Sequence, residues 1–463
     1  MKNFIAIIFF FSIYISSFSQ IHSDAVLGSF HPDNTECLSD AQRTEIKKQI
    51  ADNIVSLRQH GKISEPNPNA TTLLDWPLKL RNGLVDYGYH SIAGQVDHNA
   101  NYPNQLLDYN CGQRTYDTPS GYNHQGTDYL LWPFTWNKMD SSDVEIISGA
   151  AGTIVNKSDG NFDRSCAFNN NNWNAVYIQH ADGSVAWYGH MKKNSLTAKL
   201  VGATVTQGEY LGVVGSSGNS TGHHLHLEIY DPSNNLNDPY QGACNNFNAT
   251  SWWINQRPYI DAAINHIASN NQPPVWGNCP NEDTKNEWDY FSATDTIFLM
   301  TYFRFLSLND TVDITIKRPN NSVWGNWQWI NNLGDYDAAY IYWWIIPGAG
   351  APNGTWTFQA DYKNQTYTDP FILGMVAVNE FSNENIISVS PNPSDGNLFV
   401  KSSDGNFFGR NYFFNIYNLV GEKLFSEKLS NGSINANVNS GMYLYEIKDE
   451  NKNFISRGKI IFK

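Results

Sequence analysis

Between residues 224 and 230 apolar and polar side chains alternate strictly. His224, His226, Glu228 and Tyr230 fall on one parity, and Leu225, Leu227 and Ile229 on the other. Side chains alternate faces along a β-strand, so this period predicts a strand with one face for a core and one face carrying two imidazoles, roughly 7 Å apart. The loop before it, Ser216-Ser217-Gly218-Asn219-Ser220-Thr221-Gly222, has turn-forming composition and would aim those imidazoles into a cleft. Similar patterning predicts a hairpin of residues 175–180 and 184–190, turned at Asp182-Gly183. A helical period appears once. Ile46, Ile50, Ile54 and Leu57 predict a helix over 40–60, with Ser39 as N-cap and Gly61 at its end.

Further along, residues 271–373 are rich in β-branched and aromatic side chains. Turn signals at Pro319-Asn320-Asn321 and Pro352-Asn353-Gly354 predict a β-sandwich there. Trp324, Trp327, Trp329, Trp343, Trp344 and Trp356 read first as core and strand-pair residues, and second as the lining of a glycan or peptide groove. Short strands over 397–401, 412–417, 422–426 and 442–448 predict a small β-sandwich at the far end.

The apolar run from Phe4 to Ile15, after Lys2 and before small residues, predicts a secretory signal peptide over 1–19, cleaved near Ser19 or Gln20. No other segment approaches eighteen consecutive apolar residues, so no transmembrane segment is expected in the mature protein. A net charge of −14 over 463 residues excludes the basic footprint that nucleic-acid partners need. The length suggests three to four domains. The five cysteines, Cys37, Cys111, Cys166, Cys244 and Cys279, fit an oxidising route, and their odd number leaves one unpaired. Cys111–Cys166 and Cys244–Cys279 are the expected pairs. No zinc-finger spacing occurs, so the cysteines are expected to stand apart from any metal site.

Metal chemistry is nevertheless suggested by histidines. His124 and Asp128 lie four apart in a stretch whose Gly126 and Thr127 argue against a helix, and His190 ends the second hairpin strand. A catalytic zinc site needs three protein ligands and an open position. The order H-x-x-x-D, then Y-G-H, then S-T-G-x-H-L-H-L-E resembles the lysostaphin-type zinc metalloendopeptidases, which cut bacterial cell-wall peptides. The resemblance covers about residues 80–260 and is densest from 121 to 230. It implies Zn²⁺ held by His124, Asp128 and His226, with His190 and His224 as catalytic residues beside the zinc-activated water. One of the latter would move protons and the other would stabilise the oxyanion. Which does which is left open.

Two departures concern the rim. His223 stands where that family usually has Pro and is expected at the edge of the cleft. The stretches 132–143 and 156–174 are longer than usual and should border it. Glu228 reads equally as a partner orienting a ligand histidine or as a strand carboxylate with no metal role. His180 is expected to be structural. His31, His60, His90 and His98 carry no motif.

The far end has its own resemblance. Ile416-Tyr417-Asn418-Leu419-Val420-Gly421 and Ser440-Gly441-Met442-Tyr443-Leu444-Tyr445 resemble the C-terminal sorting domain of type IX secretion, over about 387–463. This implies the type IX machinery as a partner, and passage through the periplasm to the cell surface or medium.

The expected fold class is mostly β: a β-rich metallopeptidase domain with a short N-terminal helical segment, a β-sandwich-like middle domain and a small C-terminal β-sandwich. The expected boundaries are 1–19 signal peptide, 20–75 helical or pro-like segment and linker, 76–268 peptidase, 269–380 Trp-rich domain and 381–463 sorting domain. The expected activity is zinc-dependent hydrolysis of peptidoglycan peptides. The rivals are an inactive cell-wall-binding relative and a secreted protease acting on Gly-rich proteins.

Overall fold

The computed structural model describes residues 20–29, 36–67, 69–374, 387–402, 412–418, 421–429, 432–449 and 454–463. Residues 1–19, expected to be a signal peptide, lie outside them. The chain divides into two compact units, Met1–Gly374 and Met375–Lys463. The architecture is mostly β.

In the first unit the strand His224–Tyr230 sits inside an 8-stranded sheet, between Thr127–Leu131 and Val185–Gly189. All pairings around it are antiparallel, and the register places His226 opposite Asp128 on one side and Gly189 on the other. The hairpin Ala175–Gln179 and Val185–Gly189 continues the sheet toward Gly152–Ser158. The period-2 pattern sorts the two faces. Leu225, Leu227 and Ile229 join Ile154, Val176, Ile178, Ala186 and Tyr188 in one core. Tyr230 joins Val155, Ala175, Tyr177, Val185 and Trp187 on the opposite face.

That second face is covered. The helix Asp40–Gln59, started by a Ser39–Gln42 capping box, lays Ile50 onto it, and Cys37 and Leu38 are buried in the same cluster. Of the helix's own residues Arg43 and Ile50 are fully buried, and Ile46, Ile54 and Leu57 pack against the same cluster while partly exposed.

A sandwich follows. One sheet has Ala263–Asn270, Ile297–Leu306 and Tyr336–Ile346, and the other is 5-stranded with Gly354–Tyr362 near its centre. Trp343 and Trp356 lie in the core between them, with Trp324, Trp327 and Trp329 packed against it. The strand Gln20–Ser29 pairs antiparallel with Tyr336–Ile346. A strand there was not foreseen, because Ser23, Asp24 and Gly28 interrupt any clean alternation.

The second unit holds a 3-stranded and a 4-stranded sheet around Leu398, Phe414, Ile416, Ile447 and Ile460.

The cysteine pairing differs from expectation. The disulfides are Cys111–Cys244 and Cys166–Cys279, spanning 133 and 113 residues, and Cys37 is free and buried. Pairing follows proximity in the fold, which neighbouring order along the chain does not report. The second bridge ties the 156–174 stretch to the segment after the peptidase sheet.

Candidate metal centre

The strand register brings His226 and Asp128 together, and the loop just before Thr127 adds His124. His226 Nδ1 lies 2.7 Å from Asp128 Oδ1, and His124 Nε2 lies 3.1 Å from Asp128 Oδ2. The two imidazole nitrogens are 3.3 Å apart. Gly126 permits this approach, since a Cβ there would stand 2.5 Å from the His226 ring. A similar constraint holds at Gly189, where a Cβ would meet the Trp173 indole at 2.3 Å. Trp173 in turn stands edge-on to His190, ring centroids 5.1 Å apart.

The remaining ring nitrogens settle which atoms carry protons. His124 Nδ1 donates to the Gln95 carbonyl at 2.7 Å, which leaves Nε2 as the lone pair. His226 Nε2 donates to Glu228 Oε1 at 2.9 Å, which leaves Nδ1 as the lone pair. Two lone pairs and a carboxylate thus face one point inside a buried site. Such a set is repulsive without a positive charge among its members. Separations of about 3 Å suit donors that share one ion at about 2 Å, so the residues present fit zinc. Without a metal, protons on the two rings supply that charge. Burial alone would neutralise Asp128, but His124 overrides it and holds the carboxyl well below its usual range. Burial would likewise depress His124, yet Asp128 raises it to about 9.

The other two expected histidines stand beside this cluster. His190 follows Gly189, at a left-handed φ of 58°, and its Nδ1 donates to the Ser217 carbonyl at 2.6 Å. His224 Nδ1 donates to the Gly222 carbonyl at 2.9 Å. The rings pack with centroids 4.4 Å apart. Both Nε2 atoms are buried with no hydrogen-bond partner, and His224 Nε2 is 3.7 Å from Asp128 Oδ1. Burial, reinforced by His224, lowers the pKa of His190. His224 is also opposed by burial, but Asp128 raises it.

All five residues singled out from the sequence therefore converge. Glu228 takes the orienting role beside His226, and it is itself paired with Arg43 of the N-terminal helix. His180 bonds the Ala151 carbonyl at 2.9 Å. His223 is buried, only 1 % exposed, with its ring edge-on to Trp136. It lines a cleft of about 410 Å³ with Trp132, Trp136, Trp276 and Tyr340.

One residue was missed. Cys37 Sγ lies 3.4 Å from His226 Nδ1 and 3.3 Å from the Tyr116 hydroxyl. It groups with His124, Asp128 and His226, and also with His190, His224 and His226. The expectation that every cysteine stands apart from the metal site is thus wrong for Cys37. Spacing rules find ligands close in sequence, and this thiol arrives from a separately docked segment. Burial would raise the thiol pKa, but His226 and the other imidazoles hold it well below the usual value.

Residues 136–239 match the family model described as peptidase family M23, a span that includes His190, His224 and His226 and begins after His124 and Asp128. Residues 388–463 match the secretion system C-terminal sorting domain. The peptidoglycan DD-endopeptidase ShyC of Vibrio cholerae is 32% identical over 106 residues, covering 23% of this chain and 20% of the relative. The chain thus spans about a fifth of that relative's length. Among solved structures, a catalytic-domain mutant of the prophage-encoded M23 protein EnpA from Enterococcus faecalis shares 22% identity, covering 32% of this chain and 88% of that one, with a TM-score of 0.20. A zinc-containing peptidase from Vibrio cholerae shares 18% identity over 36% of this chain and 39% of its own, with a TM-score of 0.23. The chain therefore carries a domain of peptidase family M23 and, beyond it, a secretion-system C-terminal sorting domain.

Proposed function

We propose that this protein is a secreted zinc-dependent endopeptidase that hydrolyses peptide bonds of bacterial peptidoglycan. The observation that carries the reading is the facing of the His124 Nε2 and His226 Nδ1 lone pairs, 3.3 Å apart, across the Asp128 carboxylate. His124, Asp128 and His226 would hold the metal. When bound, zinc supplies Lewis acidity that polarises a peptide carbonyl and acidifies a water.

The chain's own residues supply the rest. Gln95 and Glu228 fix the two ligand tautomers. Ser217 and Gly222 hold the Nδ1 protons of His190 and His224, so Nε2 of each ring is the atom that takes up or returns a proton. One ring accepts the proton of the attacking water and delivers it to the leaving amine. The other, protonated, donates to the developing oxyanion. The aromatic cleft beside His223 offers apolar walls for the flanking part of a peptide.

Peptidoglycan as substrate is supported by the likeness to a peptidoglycan endopeptidase, and export through the type IX machinery by the sorting domain. No helix among the described residues is long and apolar enough to cross a membrane. The test pairs metal analysis with digestion. Purified protein is expected to hold one zinc per chain and to release peptides from isolated cell walls but not from a panel of folded proteins. A protein free of zinc after purification without chelators refutes the reading. Deleting residues 387–463 should keep the activity inside the producing cells, and normal export of the truncated form would refute the sorting role.

A further inference from the structure

The N-terminal segment reaches the metal centre by two separate grips. Cys37 Sγ lies 3.4 Å from His226 Nδ1, while Arg43, six residues further on in the helix, pairs with Glu228 and donates to the Tyr230 hydroxyl at 3.0 Å. Glu228 is the carboxylate that holds the other side of the His226 ring. Both residues are buried although they belong to a segment that otherwise lies on the surface: Cys37 is 3% and Arg43 6% exposed.

A thiol in this place has few ordinary explanations. It forms no disulfide, and although it belongs to the apolar cluster beneath the helix, its Sγ lies against the His226 ring nitrogen and the Tyr116 hydroxyl, which apolar packing alone does not require. Two independent features point to a ligand. One is the set of donor atoms that lies within 4.8 Å of one another and includes Sγ, His124, Asp128 and His226. The other is the pair of unpartnered Nε2 atoms of His190 and His224, buried and directed at the same place.

We propose that Cys37 is a fourth zinc ligand, which closes the position that substrate water must occupy and holds the full chain at a low basal activity until the 36–60 segment withdraws. The inference rests on the metal reading above. A catalytic zinc keeps one position open, whereas four protein ligands make a closed, structural-type site. Thiolate is a strong zinc ligand, so it competes well with water for that position. Withdrawal is feasible because neither disulfide ties the segment to the peptidase sheet, and Ile46, Ile54 and Leu57, by which the helix docks alongside Ile50, are only partly buried. Residues 61, 62, 64 and 65, directly after the helix, are exposed, so an endoprotease has access there. Cutting them hydrolyses a peptide bond and leaves the thiol attached to a segment held by non-covalent contacts alone.

The experiment uses the full chain loaded with cobalt in place of zinc. A near-ultraviolet thiolate-to-cobalt charge-transfer band is expected, and it should vanish in Cys37→Ser while cobalt stays bound. The Cys37 thiol should resist a disulfide reagent in metal-loaded protein and react after chelation. Cell-wall hydrolysis by the zinc form should rise roughly tenfold or more in Cys37→Ser and Cys37→Ala, as the closed state is lost. Cobalt bound without the band, or a thiol equally reactive with and without metal, overturns the fourth ligand and leaves the proposed activity standing. Failure to bind cobalt or zinc at all overturns both. A band that is present without any gain of hydrolysis in either variant keeps the ligand and overturns the restraint on activity.

Discussion

Two histidines in the first unit are each gripped by a pair of carboxylates, and only one belongs to the candidate metal centre. His266 places Nδ1 3.1 Å from Asp86 and Nε2 3.0 Å from Glu287. His226 places Nδ1 2.7 Å from Asp128 and Nε2 2.9 Å from Glu228. At His266 the two acids stand on opposite edges of one ring. A doubly protonated imidazole satisfies both, and Lys138 adds a second cation 3.5 Å from Asp86. At His226 the Nδ1 side is crowded. His124 Nε2 and Cys37 Sγ share the space with Asp128, so acceptors outnumber the protons available. A carboxylate on each side of a histidine is thus compatible with a closed ion triad or a metal ligand. What separates them is whether additional lone pairs face the same point.

The sharpest way to break this comparison is to remove each ring. His226→Ala should lose zinc and hydrolysis together, to background, because one of three ligands carries a large share of the binding. His266→Ala should keep zinc and activity in folded protein. Metal analysis and wall digestion of the two variants check this directly, and equal loss in both would erase the distinction. His190→Ala and His224→Ala come next. Each should keep zinc while hydrolysis falls roughly 10²–10⁴-fold, since these rings handle protons and charge. An apo form of either variant would make that histidine a ligand. A smaller effect is expected from Glu228→Gln. It should weaken zinc affinity about 10–100-fold, as losses of orienting partners typically do, measured by competition with a chelator. Unchanged affinity would return Glu228 to the role of a plain strand carboxylate.

The parts of this site that could be read from the sequence are those written in local periods. The alternation at 224–230 placed His224 and His226 on one face, and the hairpin pattern placed His190 at a strand end. The Ser39 cap and the helix after it were equally local. Register supplied the rest: His226 opposes Asp128 because two strands far apart in sequence pair there, and only the family likeness anticipated it. Long-range closure hid the remainder. Cys37 reaches His226 across 189 residues, and Arg43 reaches Glu228 across 185. Both disulfides likewise join segments more than a hundred residues apart. His266 carries no motif because its partners Asp86 and Glu287 come from either side of the strand Ala263–Asn270, each through tertiary packing. Burial of His223 against Trp136 was hidden for the same reason.

The smallest predicted effect sharpens the comparison from the His266 side, through pH. Burial alone would lower its pKa, but hydrogen bonds to Asp86 and Glu287 override burial and raise it to about 9. An imidazole in an unfolded chain titrates near ~6.5. The folded value is the higher one, so folding takes up protons in this range. The stabilisation is fully present below the unfolded value and is lost as pH rises through the folded value, a window of about 6.5 to 9. Wild-type protein should therefore lose thermal stability between pH 7 and pH 9 beyond what His266→Gln loses, because glutamine does not titrate. The excess fall in melting temperature should be roughly 1–2 °C for each kcal/mol of linkage, because the unfolding entropy grows with the size of the unit. His266 is partly exposed, with 24% of its side chain accessible, so solvent screening keeps the effect at the low end. Thermal melts of both proteins across that window, in the presence of a chelator to silence the metal centre, measure the difference. Parallel curves would show that His266 is neutral in the fold. The two carboxylates would then be held apart by other means, and the contrast with His226 would lie in charge as well as in the number of converging donors.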